Sequence, residues 1–218
     1  MSLPLLQVAL DETSLENAVK SVKQYGHIID IVEVGTILHY AEGAKAVSVL
    51  REMYPNKILL DDIKGADAGS MLAEICFGAG ADTMTAICSA DVNTMIAMKK
   101  VAATYGPNKD VQVELYGDWT FAHAQSWLDA GLSQVVYHRS RDAELAGATW
   151  GQSDIKKIAT LIEMGIKVTI TGGLNVEDLK LFKGLAIHGV IAGRSIRGAK
   201  DPEQAAKNFK AEILKIWG

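Results

Sequence analysis

Only two cysteines, Cys76 and Cys88, occur in 218 residues, with no CxxC pair and no histidine cluster around them. A disulfide framework and a cysteine-ligated zinc site are excluded on that ground. Such thiols pack as small apolar residues and suit a reducing cytoplasm. The five histidines form no HxH or HExxH spacing, which removes the common zinc-enzyme signatures. Positive charge is in short supply too: 22 Lys and Arg face 26 Asp and Glu, a formal net charge of -4 with no basic run. A nucleic-acid footprint is therefore not expected. No apolar stretch is long enough to cross a bilayer. The opening MSLPLLQVALDET lacks a basic segment and a small-residue cleavage site, so it reads as a first strand rather than a signal peptide. Linkers, low-complexity tracts and a glycine-rich first turn are missing as well, and the last absence argues against a doubly wound open sheet.

What remains is an ordinary globular composition, 49% hydrophobic and 22% charged, in a chain long enough to bury a sizeable core. Short runs rich in Val and Ile alternate with longer amphipathic stretches. The runs are Leu5–Asp11, Ile28–Gly35, Lys57–Lys64, Ala81–Ile87, Val111–Gly117, Gln134–Arg139, Lys167–Gly173 and His188–Arg194. Each has strand length, and most read as apolar on both faces, as a helix-covered parallel sheet requires. Helices are expected over Leu15–Tyr25, capped by Thr13-Ser14, then Glu42–Met53, Ala68–Phe77, Val92–Thr104, Thr120–Ala130, Ile155–Met164, Val176–Phe182 and Pro202–Trp217. Roughly eight βα units in succession predict an α/β fold, a (β/α)₈ TIM barrel spanning 1–218 as one domain. Trp119, Trp127, Trp150 and Trp217 fall mostly in helical or loop stretches and are expected to pack rather than to stack on a ligand.

Charged and polar residues gather at one end of the runs. Asp11, Glu33, Asp62 with Lys64, Glu114, His138 with Arg141, Thr171-Gly172-Gly173 and Gly193-Arg194 all lie at or just past a carboxyl-terminal strand end. In a barrel these ends meet at one mouth, where ionised groups are costly unless paired, metal-bound or hydrated. Within DIKGAD, Asp62 and Lys64 are two apart and share a face, whereas Asp61 points to the other face as a structural or capping carboxylate. Asp67 follows where the chain leaves the strand. A solvated turn with ion pairs is the plainer interpretation of these residues. Glu33 fits either an interior salt bridge or a metal ligand beside Asp62; two carboxylates plus water and substrate oxygens suit Mg²⁺. The TGG and AGRSI turns offer backbone N–H groups, close approach and the Arg194 guanidinium to a phosphate. His138, in YHRSRD, is a candidate acid-base group. His27, His39, His123 and His188 have no such context and are assigned to surface or packing.

LQVALD, IIDIVEVGT, DDIKGADAG, QVVYHRSRD, VTITGGL and IAGRSIR together resemble the orotidine-monophosphate decarboxylase superfamily, and within it the 3-keto-L-gulonate-6-phosphate decarboxylase family, over essentially the whole chain. DxKxxD marks only the superfamily. YHRSRD is the more specific element, because the related hexulose-6-phosphate synthases differ there. The resemblance implies a Mg²⁺-dependent carboxy-lyase of L-ascorbate catabolism that converts 3-keto-L-gulonate 6-phosphate to L-xylulose 5-phosphate and CO₂ through an enediolate. It implies Asp11 on substrate hydroxyls, Glu33 and Asp62 on Mg²⁺, and Lys64 on the enediolate. Asp67 would complete that network from the second subunit of a homodimer with shared sites. Glu114, His138 and Arg141 would line the face of proton delivery, and Thr171, Gly172, Gly173, Gly193 and Arg194 would bind phosphate. The chain shows no departure at these positions, and the Gly106–Asp110 segment is expected to differ in length. Alternatives are a hexulose-6-phosphate synthase-like aldol lyase, a ribulose-phosphate 3-epimerase, whose histidine pattern is not met, and a non-catalytic sugar-phosphate-binding barrel.

Overall fold

A computed structural model describes residues 2–218. Eight strands close into a barrel in chain order: β1 (Leu5–Leu10), β2 (Ile31–Val34), β3 (Ile58–Gly65), β4 (Thr83–Ile87), β5 (Asp110–Leu115), β6 (Gln134–His138), β7 (Lys167–Thr171) and β8 (Gly189–Ala192). Every pairing is parallel, and β1 closes the ring by pairing Gln7 with Ile31 of β2 and with Ile191 of β8. A helical segment follows each strand. The barrel expected from the sequence is the fold observed.

The strand interiors differ from expectation in one respect. Outward residues such as Leu6, Val8, Val32, Met84, Val113 and Ile170 are buried in the layer beneath the helices. The alternate set is largely polar yet equally buried: Gln7, Glu33, Asp62, Thr85, Gln112, Glu114, Thr169 and Thr171. The strands are thus not apolar on both faces; period-two alternation assigns the helix layer to apolar groups and the barrel interior to polar ones. The pattern is plain in β5, Val111-Gln112-Val113-Glu114-Leu115, and in β7.

Helix boundaries also depart from the sequence reading. The helix predicted over Glu42–Met53 is present as Ala44–Met53, and a second helix that the sequence does not predict, Thr36–Glu42, precedes it. They are separated by Gly43 at φ 61°, a conformation glycine adopts at low cost. Short helices Arg141–Leu145 and Arg194–Arg197 follow β6 and β8, and the next helix begins at Gln152 rather than Ile155. Val176–Phe182 winds as a 3₁₀ helix. The expected Ser14 cap is present, its hydroxyl accepting the Asn17 N–H. Cys76 and Cys88 are free and buried. Trp127 lies in the core and Trp119, Trp150 and Trp217 pack against it. Asp61 is fully buried on the outer face of β3, where its carboxylate meets His39 Nδ1 at 2.8 Å and ties the Thr36–Glu42 helix to the barrel. No helix among the described residues is long and apolar enough to cross a membrane.

Candidate active site

A cavity of about 790 Å³ opens at the carboxyl-terminal ends of the strands. Asp11, Glu33, Asp62, Lys64, Glu114, His138, Arg141, Thr171, Gly172, Gly173, Gly193 and Arg194 all line it. Residues from all parts of the chain therefore converge as the strand-end pattern requires. Asp67 does not join them. It is exposed and borders a separate shallow depression with Gly69, Met71 and Thr94.

The centre of the cavity is an ion cluster built on β3. The ladder to β4 slips between Asp61 and Gly65, and Lys64 takes a left-handed φ of 50°. A non-glycine residue pays for that conformation in strain, which persists only where its surroundings fix it. Here the Lys64 N–H donates to Thr85 Oγ1 at 2.9 Å, and the ammonium is held by Asp62, by Glu114 Oε2 at 3.0 Å and by Thr36 Oγ1 at 2.5 Å. Asp62 accepts further bonds from Thr36 at 2.6 Å and Thr85 at 2.7 Å. Burial alone would raise the Asp62 pKa, but the adjacent Lys64 ammonium, with hydrogen bonds that include the one from Thr36, brings it down to about 2. Burial likewise opposes the charge on Lys64, and the Asp62 and Glu114 carboxylates outweigh it, so the lysine is held firmly protonated.

Glu33 is in the opposite situation. It is buried, it faces Asp62, and its hydrogen bond comes from Gln7 Nε2 at 2.6 Å. Burial first, and the Asp62 charge second, push its proton affinity well above the ordinary carboxylate range. Two buried carboxylates with one lysine shared towards Glu114 leave a deficit of positive charge at this spot. The described residues contain no group of three or more His, Cys, Asp or Glu arranged for a metal. Glu33 and Asp62 alone would have to hold one, the rest of its shell being water or ligand.

Across the cavity, His138 Nδ1 lies 2.6 Å from Glu114 Oε1 and 2.8 Å from the Tyr116 hydroxyl. A ring that donates Nδ1–H to the carboxylate keeps Nε2 available as the proton-carrying atom. The Tyr116 ring packs 4.6 Å from the imidazole, centroid to centroid, and 5.7 Å from Lys64 Nζ. Burial, then the nearby Glu114 charge, raises the Tyr116 pKa, so the phenol stays neutral. Tyr116, Thr36 and Thr85 are not singled out by the sequence reading. Alternation exposes the first: Glu114 and Tyr116 are two apart and share a face.

The rim facing β7 and β8 is built from glycine turns. Gly172 and Gly173 have φ of 112° and 60°. A Cβ on Gly172 would strike the Arg139 carbonyl, and one on Gly173 would overlap the Glu144 carboxylate. Arg194 Nη2 donates to Glu144 Oε2 at 2.6 Å. Thr171 directs its hydroxyl to the Ile191 carbonyl at 3.4 Å. On the other side Asp11 reaches Arg197 at 3.5 Å, and Gly35 must lack a side chain because a Cβ there would overlap the Asp11 carboxylate.

The model of the "Orotidine 5'-phosphate decarboxylase / HUMPS family" matches residues 4–209. The chain is 54% identical over 218 residues, all of both chains, to 3-keto-L-gulonate-6-phosphate decarboxylase UlaD of Escherichia coli O17:K52:H18. A crystal structure of KGPDC from Streptococcus mutans superposes with a TM-score of 0.98 at 50% identity, covering all of both chains. A 3-hexulose-6-phosphate synthase from Salmonella typhimurium is similar at a TM-score of 0.89 and 29% identity, over 97% of this chain and 99% of that one.

Proposed function

The chain belongs to the orotidine 5'-phosphate decarboxylase / HUMPS family, and we propose that it is a carboxy-lyase converting 3-keto-L-gulonate 6-phosphate to L-xylulose 5-phosphate and CO₂. The observation that carries this reading is the placement of protonated Lys64 between Asp62 and Glu114, with His138 bonded to the same Glu114. A buried ammonium fixed before substrate arrives can stabilise charge that develops on an oxygen, and a histidine across from it can deliver a proton.

The substrate is a β-keto acid. Its C1–C2 bond breaks, the carboxylate leaves as CO₂, and the bonding pair spreads over C2 and the former ketone oxygen on C3, which with the C2 hydroxyl makes an enediolate. Lys64 stabilises that anion more than it stabilises the ketone, which lowers the barrier to bond cleavage. His138 Nε2 then delivers a proton to C2, directly or through water, and the Glu114 carboxylate steadies the imidazolium that gives it up. The Tyr116 hydroxyl meets the same Nδ1 and its ring packs against the imidazole, which helps to fix the ring's orientation. Asp11 orients hydroxyls, and Gly172, Gly173, Gly193 and Arg194 receive the phosphate, so that binding remote from the reacting carbon fixes its position. Arg141, three residues after His138, also lines the cavity, and we assign it to the proton-delivery side.

Glu33 and Asp62 fit a hard divalent cation such as Mg²⁺, because their charge deficit is what such an ion relieves and because Mg²⁺ accepts water and substrate for its other positions. When bound, Mg²⁺ would supply Lewis-acid stabilisation of anionic oxygen. Protein stripped of divalent metal is expected to stop releasing CO₂ from 3-keto-L-gulonate 6-phosphate and to recover with Mg²⁺. Binding has its own readout in a melting curve. The wild type should gain Tm as Mg²⁺ is added, and Glu33→Gln should lose most of that gain. Full CO₂ release without metal, or an undiminished Mg²⁺ effect in Glu33→Gln, would take Glu33 out of the ligand set.

We place the protein in the cytoplasm as a homodimer with shared sites. The exposed Asp67, at the end of the segment that carries Asp62 and Lys64, points to a carboxylate offered to a second subunit rather than to its own cavity.

A further inference from the structure

We propose that Glu144 is an internal stand-in for the substrate phosphate and sets how tightly this site takes an anion. The inference rests on the phosphate assignment made above for Gly173 and Arg194. Glu144 occupies that place. Its Oε2 receives Arg194 Nη2 at 2.6 Å, and its carboxyl atoms fill the space that a Cβ on Gly173 would need. A phosphate dianion and this carboxylate cannot share one guanidinium and one glycine turn without like-charge repulsion. Phosphate must therefore displace Glu144, and its apparent affinity falls by the fraction of molecules in which Glu144 holds the site.

The local structure allows such displacement. Glu144 belongs to the five-residue helix Arg141–Leu145, which has no buried residue and exposes Leu145. The Ser140 hydroxyl caps its start by accepting the Ala143 N–H at 3.1 Å. A helix with so little buried surface opens at low cost. Arg141 sits three residues before Glu144, so the two share a helix face. Release of Glu144 by an arriving phosphate thereby frees the segment that carries Arg141 at the reacting end. One helix then links occupation of the anion site to the proton-delivery side of the cavity.

Isothermal titration with inorganic phosphate, at fixed pH and ionic strength, tests this on the wild type, Glu144→Gln, Glu144→Ala and Arg194→Ala. Both Glu144 variants are expected to bind phosphate about two- to fivefold tighter, the range for loss of a partly exposed ion pair. KM for the sugar phosphate should fall with them, without a matching rise in kcat. A gain in affinity cannot arise from damage to the fold, which makes the sign decisive. Arg194→Ala should bind about tenfold more weakly. Unchanged or weaker binding in both Glu144 variants, with Arg194→Ala weakened, overturns the role of Glu144 and leaves the phosphate site standing. Unchanged binding in Arg194→Ala overturns the phosphate site itself, and the role of Glu144 with it.

Discussion

Lys64→Ala is expected to lower kcat about a thousandfold, the upper range for removal of a preorganised group that stabilises a developing oxyanion. The effect should fall on kcat more than on KM, because the ammonium acts on charge absent from the bound ketone. Part of the cost appears in stability. Without the lysine, Asp62 and Glu114 are two buried carboxylates close to one another, and breaking such a pair typically costs about 3–5 kcal/mol. A typical domain has about 5–15 kcal/mol in hand, so the variant should still fold, with a lower Tm. Proton uptake by Glu114, whose pKa burial and Asp62 already raise, softens the loss. Steady-state kinetics beside thermal melts separate the two effects. Near-normal turnover in a folded variant would remove Lys64 from the chemistry. If Asp67 serves the neighbouring subunit, mixed dimers of Lys64→Ala and Asp67→Ala should regain activity that neither parent has.

His138→Gln is expected to lower turnover about a hundredfold or more, in the range for loss of a general acid. Gln can keep a hydrogen bond to Glu114 but carries no transferable proton, so the variant isolates proton delivery from positioning. The sharpest readout is isotopic. In D₂O the wild type should place one deuterium at the carbon that lost CO₂, with a fixed stereochemistry. The variant should lose that fixed stereochemistry, because water then reaches the enediolate from either face. A variant that matched the wild type in rate and stereochemistry would assign proton delivery elsewhere, with Arg141 next in line by position.

The barrel was legible because eight short Val- and Ile-rich runs alternate with amphipathic stretches, a pattern that leaves little other topology. The cavity was legible because charge at a strand end is costly and stands out. Neutral groups left no such mark. Thr85 on β4 and Thr36 after β2 complete the Asp62–Lys64 network, yet a threonine in or near a β-branched run looks like ordinary strand. Tyr116 was hidden among aromatic residues of ordinary packing, although its parity with Glu114 places it in the interior. The run ending at Gly35 and the helix expected from Glu42 leave Thr36–Glu42 unassigned, because seven residues between Gly35 and Gly43 are too few to show a helical period. Spacing alone ties Asp67 to Lys64, but the chain turns outward after Gly65 and leaves Asp67 exposed, so its role in a second subunit's site cannot be read from one chain's cavity. Glu144 gave no signal, since its partner Arg194 lies 50 residues away.

The most direct measurement offers the purified protein two substrates side by side under Mg²⁺: 3-keto-L-gulonate 6-phosphate, followed by CO₂ release, and ribulose 5-phosphate with formaldehyde, followed by hexulose 6-phosphate. Release of CO₂ with a far larger kcat/KM than the aldol addition is the expected result, with both activities lost in Lys64→Ala. Efficient aldol addition with no CO₂ release would contradict it, and would assign the same enediolate cavity to a synthase.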